Sequence, residues 1–185
     1  MSEMSRVVFS SFRAGGDPML DSWNRFRQVV APVSSGGSTE RAASRHGVAS
    51  TVASGAAERT GIWRILATNN RELCRSAHVY PSFSSARAHV LHLRERIDDL
   101  VLTPVIGPRP GSRGWYMTLN GVVVVTCGRW YGAAASSAEA AAAGLEELAR
   151  AQISEAARDV TAPGRRSPAR PAVRPGQQAL DRPSW

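Results

Sequence analysis

Three histidines fall close together in this chain. Imidazole is the side chain best suited to metal binding and to proton transfer near neutral pH. His89 and His92 are spaced i, i+3 on a helical pattern, and His78 lies in the strand-like stretch before it. Three such rings could hold zinc. Yet His89 and His92 flank the apolar stripe of their helix, which turns them toward water. Where the same pattern recurs later, Arg129, Ala141 and Gly144 stand near the equivalent positions, so nothing repeats the cluster. The reading is a solvated helix face, with no metal and no cofactor.

Nucleophilic chemistry has equally little support. Cys74 and Cys127 each sit inside a strand pattern with no acid–histidine pair around them, and buried strand cysteines are inert. Two cysteines make no disulfide framework and fit a reduced, cytoplasmic protein. Ser84-Ser85 and Ser136-Ser137 are accounted for as helix caps. Asp98-Asp99 and Glu146-Glu147 sit at a helix end and on a helix surface, as solvated carboxylates do. No nucleophile elbow or H-E-x-x-H is present. The expectation is a protein that is not an enzyme.

Arginine is the remaining chemistry. The net charge is +8, and all 23 basic residues are arginine. Guanidinium binds phosphate bidentately, but the accompanying excess of Ala, Gly, Val and Pro is better explained by a high-GC coding bias. The charge also lacks the single focus of a dedicated nucleic-acid domain. The loop Gly107–Gly114 is rich in Gly and Arg but lacks Gly-Lys-Ser/Thr and precedes a strand, unlike a P-loop. Candidate anion or nucleic-acid contacts are Arg109 and Arg113 in that loop, Arg129 beside Trp130-Tyr131, and Arg165, Arg166, Arg170 and Arg174 near the C-terminus. Arg beside aromatics, at Trp63-Arg64 and Arg129-Trp130-Tyr131, resembles a base-stacking platform. The competing reading is aromatic core. Strand alternation puts Trp63, Ile65 and Ala67 on one face, and Trp115, Met117 and Leu119 on the same face of their copy, which makes both tryptophans core.

The elements that position these residues recur. Trp63, Tyr80 and Ser84-Ser85-Ala86 return as Trp115, Tyr131 and Ser136-Ser137-Ala138, with equal intervals from tryptophan to the serines. A period of about 52 residues in two copies is too long and too few for a solenoid and fits a duplicated domain half. The first copy reads as a weak strand at 48–54, a strand at 62–68, an Asn69-Asn70 turn, a strand at 72–80, and a helix capped by Ser84 or Ser85 with a stripe Ala86, Val90, Leu93, Ile97. The second reads as a strand at 100–106, a hairpin of 115–119 and 122–130 around Asn120-Gly121, and a helix capped by Ser136 or Ser137. Its stripe is Ala138, Ala142, Leu145, Ala149.

The expected fold is therefore α+β: tandem duplicated βββα units over residues 48–153 (48–99 and 100–153), an antiparallel sheet, and two helices packed on one face. Residues 1–47 form an N-terminal extension, unstructured over 1–16. It carries a short helix at 17–31, started by Asp17-Pro18 with Met19, Trp23, Phe26 and Val30 on one face, then a flexible linker. Residues 154–185 read as a disordered Pro- and Arg-rich tail. A fragment of residues 46–158 should fold alone. No apolar run is long enough to span a membrane.

The segments Trp63 to Ala67, Leu73 to Ser76, Tyr80 and Ser84-Ser85-Ala86, with their counterparts Trp115 to Leu119, Asn120-Gly121-Val122, Tyr131 and Ser136-Ser137-Ala138, resemble the YegP-like family. These are small bacterial and archaeal proteins of unknown function. The resemblance covers about residues 48–153 and implies a compact α+β fold. The chain departs from it in its longer links, its lack of lysine and its terminal extensions. It brings no catalytic residues. The expected role is a non-enzymatic accessory or interaction protein with an unknown protein partner, monomeric or homodimeric. The alternative is a weak, nonspecific nucleic-acid binder.

Overall fold

The computed structural model describes residues 4–13, 17–32 and 59–160. Seven strands make one mixed sheet: β1 (Arg6–Arg13), β2 (Arg59–Leu66), β3 (Glu72–Ser76), β4 (Val101–Ile106), β5 (Arg113–Leu119), β6 (Val122–Cys127) and β7 (Gln152–Asp159). Their spatial order is β4-β5-β6-β3-β2-β1-β7. Helices α1 (Pro18–Val30), α2 (Phe83–Glu95) and α3 (Ala134–Arg150) cover the sheet, with a 3-10 turn at Ile97–Asp99 after α2. The chain is α+β, as expected.

The sheet is not wholly antiparallel. β7 runs parallel to β1, while every other pair is antiparallel. Nor are residues 6–13 unstructured: β1 lies between β2 and β7, with Val7, Val8, Phe9, Ser10 and Phe12 buried. Both faces of β1 are covered, so its sequence lacks the apolar–polar alternation of a half-exposed strand. β7 takes up residues 152–159, most of which composition assigns to the disordered tail. It lies at a sheet edge with only Ile153 and Ala157 packed on the core, so backbone bonds to β1 define it more than its side chains do. The strands beside β2 are β1 and β3; the strand expected at 48–54 lies outside the described residues. The linker at 33–47 and most of the C-terminal tail also lie outside them.

Trp63, Ile65, Trp115 and Met117 point to the face covered by α2 and α3, and all four are buried. A Cβ on Gly144 of α3 would come within 3.0 Å of the Trp115 ring. Arg94 of α2 donates from Nε to the carbonyl of Leu148 at 2.8 Å and from Nη2 to that of Ala151, tying the helices together. α1 covers part of the opposite face, where Trp23 packs with Phe12 and Ile62. Its start is as read: Asp17 caps it by accepting from Met19 N, and Pro18 follows. Trp23 and Val30 are buried, but Met19 is exposed.

Three local expectations shift. Ser82, not Ser84 or Ser85, caps α2, in a capping box with Ser85. α3 follows Ala133 and has no side-chain cap. Its buried residues are Ser137, Ala141, Gly144 and Leu148, one position before the expected stripe. A helix rotates about 100° per residue, so Ala138, Ala142 and Ala149 are carried to the surface.

Candidate anion-binding surface

The 107–112 turn closes with Gly107 N–H donating to Ser112 O at 2.8 Å. Ser112 Oγ donates to Arg109 O and accepts from Arg109 N, which leaves the Arg109 side chain exposed. Arg113 opens β5 and exchanges backbone bonds of 2.7 and 2.8 Å with Tyr131. The Arg129 guanidinium lies 5.1 Å from the Tyr131 ring centroid. Burial pushes the Tyr131 hydroxyl up, and a hydrogen bond from Arg129 with the charges of Arg129 and Arg71 pulls back against it. Arg129 thus lies over a tyrosine to which Arg113 is joined through the backbone alone. The Arg113 guanidinium donates to Ser112 O at 3.2 Å, and Arg109 stands in the adjoining turn. Arg71 joins them through the β3–β6 pairing, which its own local sequence does not announce. Arg165, Arg166, Arg170 and Arg174 lie outside the described residues.

The stacking surfaces are occupied. Trp63 and Tyr131 are buried. Trp130 packs against Phe26 with centroids 5.5 Å apart, and lies where Cβ atoms on Gly107 or Gly114 would stand. What this region offers a polyanion is guanidinium, not free aromatic faces.

A second arginine group has no signal in the sequence. A cavity of about 250 Å³ opens on the α1 side of the sheet, lined by Arg6, Arg64, Arg158, Ser10, Asn70 and Leu66 among others. Arg64 belongs to a charged row across the strands. Its Nη2 donates to Ser10 Oγ at 3.2 Å, and its Nη1 lies 3.6 Å from Glu72 Oε2. Arg75 binds the other Glu72 oxygen, donates to Gly128 O at 3.0 Å and stacks over Phe26.

The histidines behave differently from expectation. His89 is half-buried, not on a solvated face. Tyr80 Oη and His89 Nδ1 are 2.6 Å apart, Trp63 Nε1 donates to Tyr80 Oη at 3.3 Å, and the His78 ring meets His89 edge-on at 5.8 Å. Burial, then the neighbouring His78 and His92, push the His89 pKa down to about 4. Burial and Arg27 lower His78 as well. Burial pushes the Tyr80 hydroxyl up. His92 is exposed. Among the described residues no three His, Cys, Asp or Glu side chains gather as a metal site would require.

Cys74 and Cys127 are direct cross-strand partners, both free and buried. Burial is the largest cause pushing both thiols up, so they are poor nucleophiles at neutral pH. No helix among the described residues is long and apolar enough to cross a membrane.

No family model matches the chain, and no curated protein matches it. Among solved structures it is similar to the solution NMR structure of YegP from E. coli, a protein of unknown function. The two are 12% identical with a TM-score of 0.39, over 54% of this chain and 84% of that one.

Proposed function

We propose that this chain is a non-enzymatic accessory or interaction protein built on two copies of a βββα unit, and that its β4 edge receives a protein partner. The duplication is supported by matched irregularities. The β2–β3 ladder slips between Ile65 and Leu66, and the β5–β6 ladder slips between Met117 and Thr118. Gly61 bridges Tyr80 as Arg113 bridges Tyr131. Bulges are retained structural features rather than accidents. On this reading the units are β1-β2-β3-α2 and β4-β5-β6-α3, with α1 inserted after the first strand.

The observation that carries the functional reading is the character of β4. It ends the sheet, and Val101, Leu102 and Ile106 are 61%, 43% and 77% exposed. An exposed apolar edge strand is a template for pairing with another chain. Pro104 sits in the same strand, as edge strands allow, and limits indiscriminate extension. The test is a photo-crosslinking residue at Ile106, with Arg87 on exposed α2 surface as the comparison. A defined adduct at Ile106 that is lost in Leu102→Lys and absent from position 87 supports the reading. No adduct, or equal adducts at both positions, rejects it.

The second reading, weak and nonspecific nucleic-acid binding, rests on Arg71 and Arg129 beside Tyr131, with Arg109 and Arg113 in and beside the adjoining turn. It requires phosphate contacts alone, since the aromatic faces there are packed.

A further inference from the structure

The cavity between β1, β2 and β7 is chemically different from both surfaces above. Its floor includes Val8 and Leu66, and its cationic lining comes from three separate strands: Arg6 of β1, Arg64 of β2 and Arg158 of β7. The register explains the convergence. Arg64 pairs with Val8, and Arg158 pairs with Ser10, so the three side chains share the α1 side of the sheet. α1 reaches Phe12 and Ile62 through Trp23 and Trp130 through Phe26, and the corner near Arg6 stays open.

Two of the guanidiniums are held in place. Arg6 Nη2 donates to Asn70 Oδ1 at 2.5 Å. Asn70 is itself fixed in a turn at φ 60°. Arg64 is held by Ser10 on one terminal nitrogen and faces Glu72 at a longer 3.6 Å on the other. Its Nε is buried and has no hydrogen-bond partner among the described residues. Glu72 is shared with Arg75, which takes the closer contact. Asp159 also lines the cavity and offsets part of the charge. Three guanidiniums against one shared carboxylate and one lining carboxylate leave a cationic pocket. A carboxylate satisfies one guanidinium bidentately, whereas a phosphomonoester offers three acceptor oxygens and close to two charges. The volume lies just below the range of about 300–1,000 Å³ typical of drug-sized ligands, so the body attached to the head group must be small. Its apolar floor suits a ring or a short hydrocarbon.

We infer that this cavity is a binding site for a small phosphomonoester, with Arg6, Arg64 and Arg158 on the phosphate and the Val8–Leu66 floor under its apolar body. The inference does not depend on the β4 interface, nor on the arginines around Tyr131.

Phenyl phosphate is the probe, titrated into the full chain by calorimetry and by amide NMR near pH 7.5. Inorganic phosphate supplies the head alone, benzoate the same body with a carboxylate, and a short single-stranded oligonucleotide the phosphodiester. Saturable binding with a Kd of roughly 1 mM or tighter is expected, with shift changes centred on Leu66 and Asn70. Arg6→Gln and Arg158→Gln are surface variants in exposed positions. Each should weaken binding about tenfold or more, the scale of one charge-assisted hydrogen-bonded pair, without changing the melting temperature. Arg113→Gln/Arg129→Gln should leave binding intact. Arg64→Lys keeps the charge but loses the fork and should also weaken it. No saturation by roughly 10 mM, or binding indifferent to Arg6→Gln and Arg158→Gln, overturns the site. Benzoate binding as tightly as phenyl phosphate overturns the choice of phosphate. Preference for the oligonucleotide overturns the small-molecule assignment.

Discussion

Acid should destabilise this protein through one histidine, and the hydrogen-bond geometry says why. Trp63 Nε1 can only donate. It donates to Tyr80 Oη, which leaves the Tyr80 proton free to point at His89 Nδ1, 2.6 Å away. That chain requires His89 to be neutral with its proton on Nε2. A second proton on Nδ1 would set two donors against each other in a desolvated site beside His78. The folded pKa is accordingly down at about 4, against 6.5 for the free side chain. A base whose folded pKa is depressed is protonated first in the unfolded chain. Its stabilising contribution is therefore complete above about pH 6.5 and is lost as pH falls toward 4. The full interval of about 2.5 pH units corresponds to roughly 3 kcal/mol at 1.36 kcal/mol per unit, and partial solvent contact of the ring reduces this to about 2 kcal/mol. The assay is urea denaturation from pH 7.5 to 4.5 for the wild type and for His89→Gln, whose amide oxygen can still accept from Tyr80. The wild type should lose about 2 kcal/mol more than the variant over that range. His78, also depressed, is present in both proteins, so the difference reports His89 together with its repulsion from His78. Parallel curves, or an NMR titration placing His89 at or above its ordinary pKa, would refute the argument.

The two tryptophans should respond unequally to loss of the indole N–H. Trp63 Nε1 has a partner in Tyr80, whereas Trp115 Nε1 is buried without one among the described residues. Trp63→Phe should therefore cost about 1 kcal/mol more than Trp115→Phe in chemical denaturation; equal costs would count against the Trp63–Tyr80 bond. A fragment of residues 46–158 should lack a cooperative thermal transition, because it removes β1 from between β2 and β7; a sharp transition by circular dichroism would show that β1 is dispensable. If the arginines at Tyr131 bind nucleic acid, Arg113→Gln/Arg129→Gln should flatten the log K against log salt line by about 0.9 for each phosphate no longer neutralised. An unchanged slope in fluorescence anisotropy would remove that surface from consideration.

Much of the local architecture was legible in the residues. Asn120-Gly121 marks its hairpin because a tight turn needs positive φ, and both residues have it, at 52° and 77°. Asp17-Pro18 announces α1. Trp63, Ile65, Trp115 and Met117 alternate as strand residues with one buried face must. Each of these signals is contained within a few residues of chain.

What the tertiary structure decided is what depends on distant partners. β1 reads as unstructured, with no alternation to mark it, until α1 and α2 cover its two faces, and β7 becomes a strand only because β1 offers it a backbone edge. The α3 stripe lies one residue before the position that periodicity suggests. Alanines follow one another through that helix, and only the close approach of Gly144 to Trp115 selects which of them turn inward. His89 lies beside a stripe by periodicity, but Tyr80 and His78 enclose it from outside its own helix. Arg6, Arg64 and Arg158 are far apart in the chain and indistinct among so many arginines. Strand register alone brings them to one cavity, because pairing sets which side chains share a face and local sequence carries no record of the strand that will lie alongside.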